Sequence, residues 1–76
     1  MSKLIFNVEV TDTFGEEANY AWVRRFKVKA SSDRGAIRIV QREMGLGSVS
    51  KVWDCGDHSR FDVKGAAICA FVSVAD

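Results

Sequence analysis

Ala21-Trp-Val-Arg-Arg-Phe-Lys-Val-Lys-Ala-Ser-Ser-Asp-Arg-Gly-Ala-Ile-Arg-Ile-Val-Gln-Arg-Glu-Met44 contains the change of period on which the fold turns. Up to Ala30 the pattern repeats every two residues. Trp22, Phe26, Val28 and Ala30 share one phase, and Val23, Arg25, Lys27 and Lys29 share the other, as in a strand with one wet face. On this phase Trp22 and Phe26 belong to the core. Arg24 falls in their phase and needs a carboxylate or an exit to solvent. Ser31, Ser32 and Asp33 are good helix N-caps. Beyond them Ala36, Ile37, Ile39, Val40 and Met44 fall in one arc at 100° per residue, with Arg34, Arg38, Gln41 and Arg42 opposite. That spacing predicts an amphipathic helix of about three turns with an arginine-rich solvent face, stopped by Gly45 and Gly47.

Upstream, Leu4, Phe6, Val8 and Val10 alternate with polar residues, so Lys3 to Thr13 is a first strand, and Phe14 to Tyr20, with Gly15 and Asn19, connects it to the second. Downstream, Val49 to Trp53 is a third strand, and Arg60 to Val63 and Ala66 to Val74 form a hairpin around Lys64-Gly65. The last strand is apolar in both phases, which places it centrally or under cover on its second face. The order ββαβββ implies an α+β fold: a mostly antiparallel sheet with one amphipathic helix packed on one face, the whole of 1–76 forming a single domain. Basic residues then appear on opposite sides of the molecule, on the helix and on the far face of the sheet.

The chain has 76 residues, 47% of them apolar and 28% charged, with a net charge of +1. A chain this short buries only about 60% of its unfolded surface, which leaves little for a deep cleft and argues against an autonomous enzyme. Charge is unevenly spread: from Ala21 to Arg42 there are seven Lys and Arg against Asp33 alone, between acidic ends. Met1 to Val10 alternates instead of forming an apolar targeting segment, and Ala66 to Val72 is too short to span a bilayer, so a cytoplasmic protein with no membrane partner is expected. Cys55 and Cys69 then read as reduced thiols without a bridge.

Cys55-Gly-Asp-His58 has zinc-ligand residue types but lacks a second ligand pair, and it reads as a polar turn; no metal, cofactor or catalytic residue is assigned. Asp54, Asp57 and Asp62 read as a solvated acidic rim. Binding is the chemistry that remains. Arg34, Arg38 and Arg42 on the helix, and Arg25, Lys27 and Lys29 on the sheet, are candidate contacts for a protein or for nucleic acid. Trp53, beside its loop, is a candidate anchor, and Tyr20, Phe14 and Trp22 near the first connection are the other rings available to a protein partner.

Thr13-Phe-Gly-Glu-Glu-Ala-Asn-Tyr-Ala-Trp-Val-Arg-Arg25 resembles a segment of short uncharacterised bacteriophage and prophage proteins, in which Gly-Glu-Ala-Asn-Tyr precedes Trp-Val-Arg-Arg. The likeness covers about a sixth of the chain and brings no activity or site residues with it. It implies an accessory protein that works in the host cell by binding a host macromolecule, foremost a protein complex. Nucleic acid, bound through a basic sheet or helix face, is the alternative. A homodimer is also expected, because the second apolar phase of the last strand, with Phe71, exceeds what one short helix covers.

Overall fold

A computed structural model describes residues 3–15 and 17–75. The elements follow the expected order: β1 (Leu4–Phe14), β2 (Glu17–Ala30), α1 (Asp33–Met44), β3 (Val49–Asp54), β4 (His58–Val63) and β5 (Ile68–Val74). They make one antiparallel sheet in the order β2-β1-β5-β4-β3, with α1 across one face. The two apolar phases of β5 correspond to the central place it takes, between β1 and β4.

The alternation of β1 sets the core. Phe6, Val8 and Val10 are buried beneath Ala36, Ile37 and Val40 of α1, together with Ala30, Phe61, Ala70 and Val72. Burying side chains the size of Ile37 and Val40 contributes roughly 1.5–3 kcal/mol each, and that burial holds a 12-residue helix too short to persist alone. Its ends are closed locally. The Ser32 hydroxyl accepts from the Gly35 amide at 3.1 Å, and Gly45, at φ 67°, takes the left-handed cap that returns its own amide to the Gln41 carbonyl. Ile39, at the margin of the apolar arc, is 39% exposed and so lies outside the core.

Two expectations need correction. The segment before Ala21 is not a long connection: β2 starts at Glu17, opposite Phe14, and the pairing carries an irregularity between Thr11 and Thr13. Side chains of β1 hold that irregularity. The Thr11 hydroxyl donates to the Trp22 carbonyl at 2.9 Å and accepts from the Tyr20 amide at 3.1 Å. The Asp12 carboxylate accepts from the Ala21 amide and from the Asn19 side chain. Tyr20 is left at φ 56°, a left-handed backbone unusual for a ring-bearing residue. The second correction follows from the first. Trp22 is not core but 38% exposed, because the register shift takes it past the end of the cluster against which Phe26 packs. Arg24 finds the expected exit to solvent, with its guanidinium 5.6 Å from the Phe26 ring centre.

Candidate functional site

Helix α1 covers one face of the sheet, and among the described residues no helix covers the other. Arg25, Lys27, Lys29 and Trp53 all belong to this bare face, while Arg34, Arg38 and Arg42 lie on the solvent side of α1. The molecule therefore has two basic surfaces facing opposite ways.

On the bare face the strand registers bring together residues far apart in the chain. Arg25 of β2 stands opposite Glu9 of β1, Glu9 opposite Phe71 of β5, Phe71 opposite Arg60 of β4, and Arg60 opposite Trp53 of β3. These five side chains form one row perpendicular to the strands. Charges within it are answered locally: Arg25 Nε lies 3.2 Å from Glu9 Oε2, and Arg60 Nε lies 2.9 Å from Asp62 Oδ1 two residues along the same strand. The Arg60 guanidinium is 5.9 Å from the centre of the Phe71 ring. Trp53 sits 6.3 Å from Phe71 in a tilted contact and meets His58 edge-on at 5.3 Å. An open recess of about 430 Å³ beside the row is lined by Asn7, Glu9, Arg25, Phe71 and Ser73. Lys27 and Lys29, near the sheet edge, form no ion pair with a described residue.

At the upper end of this face, desolvation and then the Glu9 carboxylate push the Tyr20 phenol above its ordinary value. Burial likewise raises the thiol of Cys69, which is fully enclosed.

The helix surface is different in kind. Arg34, Arg38 and Arg42 recur every four residues and make one stripe along α1. None has an acidic residue three or four positions away, and none forms an ion pair with a described residue. Arg34 and Arg38 border a recess of about 220 Å³ between α1 and the start of β3, with Ile37, Gln41, Ser48, Val49 and Phe61. Gln41 Nε2 donates to the Gly47 carbonyl at 2.8 Å and ties the far wall to the helix.

The acids near the start of α1 are engaged with one another's partners. Lys51 Nζ bridges Asp33 at 2.8 Å and Asp54 at 2.9 Å, and the Ser59 hydroxyl donates to Asp33. Burial works to raise the Asp33 carboxyl, but the bonds from Lys51, Ser59 and the Arg34 amide outweigh it and hold the carboxyl below its ordinary value. Cys55 and His58 meet through backbone, with the Cys55 amide donating to the His58 carbonyl. The imidazole is turned to Asp57, 2.9 Å from Nδ1.

Glu9 and Arg60 are the row residues that sequence reasoning does not assign to a site, while Phe71 is expected on the second face of the last strand. Each falls in the phase opposite the core, but their alignment depends on the β1–β5 and β4–β5 registers, which no local pattern specifies.

Compared with protein-family models, with curated proteins and with solved structures, the chain matches none. Among the described residues, no helix is long and apolar enough to cross a membrane.

Proposed function

We propose that the chain is a small non-enzymatic accessory protein, of the kind bacteriophages encode, that acts in the host cytoplasm by binding the phosphate backbone of duplex nucleic acid through the arginine stripe of α1. One observation carries this reading: three guanidinia on one helix face without a carboxylate among the described residues to answer them. Like charges at i, i+4 cost an isolated helix about 0.2–0.5 kcal/mol per pair, and the stripe contains two such pairs. Arg34 also sits in the first turn, where the helix dipole disfavours a cation. A polyanion offsets both costs. The sheet arginines, already paired within their own face, have less to gain from one.

The stripe rises about 12 Å from Arg34 to Arg42 at 1.5 Å per residue, the axial length over which one strand presents three to four phosphates at about 3.4 Å each. The ring in the adjoining recess, Phe61, is buried, so nothing there stacks on a splayed base. That favours a duplex held by its backbone over a single strand. Fluorescence anisotropy with a short DNA duplex and its separated strands tests the reading. Wild type binds the duplex more tightly than either strand, and Arg34→Ala, Arg38→Ala and Arg42→Ala together weaken binding by at least about tenfold without lowering the melting temperature. Equal binding by the triple variant, preference for a strand, or no binding at low salt overturns it.

A host protein is the second reading, and a separate feature favours it. Phe14 is 79% exposed at the end of the β1–β2 hairpin, and Tyr20 and Trp22, 52% and 38% exposed, follow in the irregular stretch of β2 beside Thr11 and Asp12. Capture from nuclease-treated host lysate by wild type, compared with a Phe14→Ser, Trp22→Ser variant, tests it. A protein retained by wild type and lost from the variant supports this reading; identical retention sinks it.

A further inference from the structure

The row across the bare face reads Arg25, Glu9, Phe71, Arg60, Trp53 from one edge strand to the other, and its complementarity is symmetric about its middle residue. The geometry points to a second copy of this chain as the occupant of that face, docked face to face about a two-fold axis that runs along the strands through Phe71.

The axis follows from the charges. A two-fold contact between sheet faces has two simple settings, with the axis along the strands or across them. Across the strands, β2 lies antiparallel over β2, so that with the axis at the Lys27 row Lys27 meets Lys27 and Arg25 meets Lys29; like charges facing each other disfavour this arrangement. Along the strands, the sheet order maps β2 onto the partner's β3, β1 onto its β4, and β5 onto its β5. Glu9 then lies over the partner's Arg60, and Arg60 over the partner's Glu9. Arg25 lies over the partner's Trp53, whose face suits a guanidinium, and Phe71 meets the partner's Phe71 on the axis.

The neighbouring row agrees. Lys27 aligns through Asn7 and Ser73 with His58, so across the axis it approaches the β3–β4 turn, where the Asp57 side chain is 84% exposed. The unpaired lysines of one edge are thereby brought over the acidic turn of the other copy.

The apolar part of the contact comes from Phe71, half-buried in the single chain, and from Trp53 and Ile5, each 36% exposed. Face-to-face sheets pack about 10 Å apart, a distance that side chains of this length fill. Five strands at about 4.8 Å spacing and some six residues of overlap give a flat footprint of about 20 Å by 20 Å per copy. At about 800 Å² for the pair the contact falls below stable specific interfaces and in the transient class, so the dimer exchanges with monomer and is favoured at high concentration. Both α1 helices remain on the outside.

Charge exchange tests this arrangement in the intact chain. By sedimentation equilibrium, wild type shifts with concentration from one chain of 8.4 kDa toward twice that mass. Glu9→Arg alone sets a guanidinium against the partner's Arg60, and Arg60→Glu alone sets a carboxylate against the partner's Glu9; each weakens association by at least about tenfold. Mixing the two variants restores it. In the heterodimer the introduced guanidinium faces the introduced carboxylate, and the native Arg60 of one copy faces the native Glu9 of the other. Phe71→Cys in a Cys55→Ser background gives a second readout: a residue on the axis is its own neighbour across about 10 Å, too far for a direct disulfide but within reach of a short bismaleimide, which links two copies. Wild type that stays a monomer at high concentration, or folded single variants whose mixture remains monomeric, overturns the inference. If either charge variant fails to fold, the cysteine variant decides: no cross-linked dimer overturns it.

Discussion

The guanidinia of Arg25 and Arg60 on the sheet each touch a carboxylate of their own face, whereas those of Arg34, Arg38 and Arg42 on the helix touch none among the described residues. Counting cations makes the two surfaces look alike. Lys27 and Lys29 at the sheet edge form no ion pair with a described residue either, so what separates the two surfaces is the pairing of their arginines and the acids and rings set among those of the sheet. A face that alternates cation, anion and ring is complementary to a surface of the same mixed kind. A stripe of unanswered guanidinia suits a continuous anion.

The comparison assumes that one core carries both surfaces, and the largest expected effect tests that. Phe61 is 1% exposed, packs in the central cluster and also walls the recess beside the helix stripe. Phe61→Ala should cost about 3–5 kcal/mol in urea unfolding and weaken both surfaces together. Phe14→Ala, at a position 79% exposed, should change stability by no more than about 0.5 kcal/mol. A small effect at Phe61 would mean that the sheet and helix are less tightly joined than the packing implies.

Next in size is the contrast between arginines. The Arg60 side chain is 13% exposed, bonded to Asp62 and laid over Phe71, so Arg60→Ala should destabilise by about 1–2 kcal/mol. Arg38→Ala removes like-charge neighbours on both sides and should be neutral or stabilising by a few tenths of a kcal/mol. Equal losses at the two positions would erase the distinction between them.

A smaller effect separates the acidic supports of α1. Asp33 is held below the ordinary aspartate value of 3.8, so its contribution to stability is present above that value and is lost as pH falls through the lower folded one. Asp33→Asn should be less stable than wild type by about 1 kcal/mol near neutrality, and the two stability curves should converge in acid. Asp12, Asp54 and Asp57 are lowered too, so the variant keeps part of the acid-induced loss.

Much of this architecture was legible in the sequence. Alternation from Leu4 to Val10 and from Val23 to Ala30, the switch of period after Ser31, and the doubly apolar run through Ile68 to Val74 gave the element order and the central place of β5. The start of β2 was not legible, because side chains of Thr11 and Asp12 replace ladder bonds from Asn19 to Trp22, and a polar stretch bonded in that way reads as a loop. The same substitution of bonds displaced Trp22 from the core its phase suggested. The unpaired state of the helix stripe follows in part from spacing alone, since no acid stands three or four residues from Arg34, Arg38 or Arg42. The row through Glu9, Phe71 and Arg60 needs registers between strands distant in the chain, and periodicity carries no information about those.

The most direct test of the account is the salt dependence of duplex binding, measured from about 50 to 200 mM salt for wild type and for two triple variants. Three phosphate contacts give a logarithmic slope of about −2.7. Arg34→Ala, Arg38→Ala, Arg42→Ala should bring that slope close to zero, while Arg25→Ala, Lys27→Ala, Lys29→Ala should leave it nearly unchanged. A slope that survives loss of the helix arginines and disappears with the sheet cations would contradict the assignment of the two surfaces.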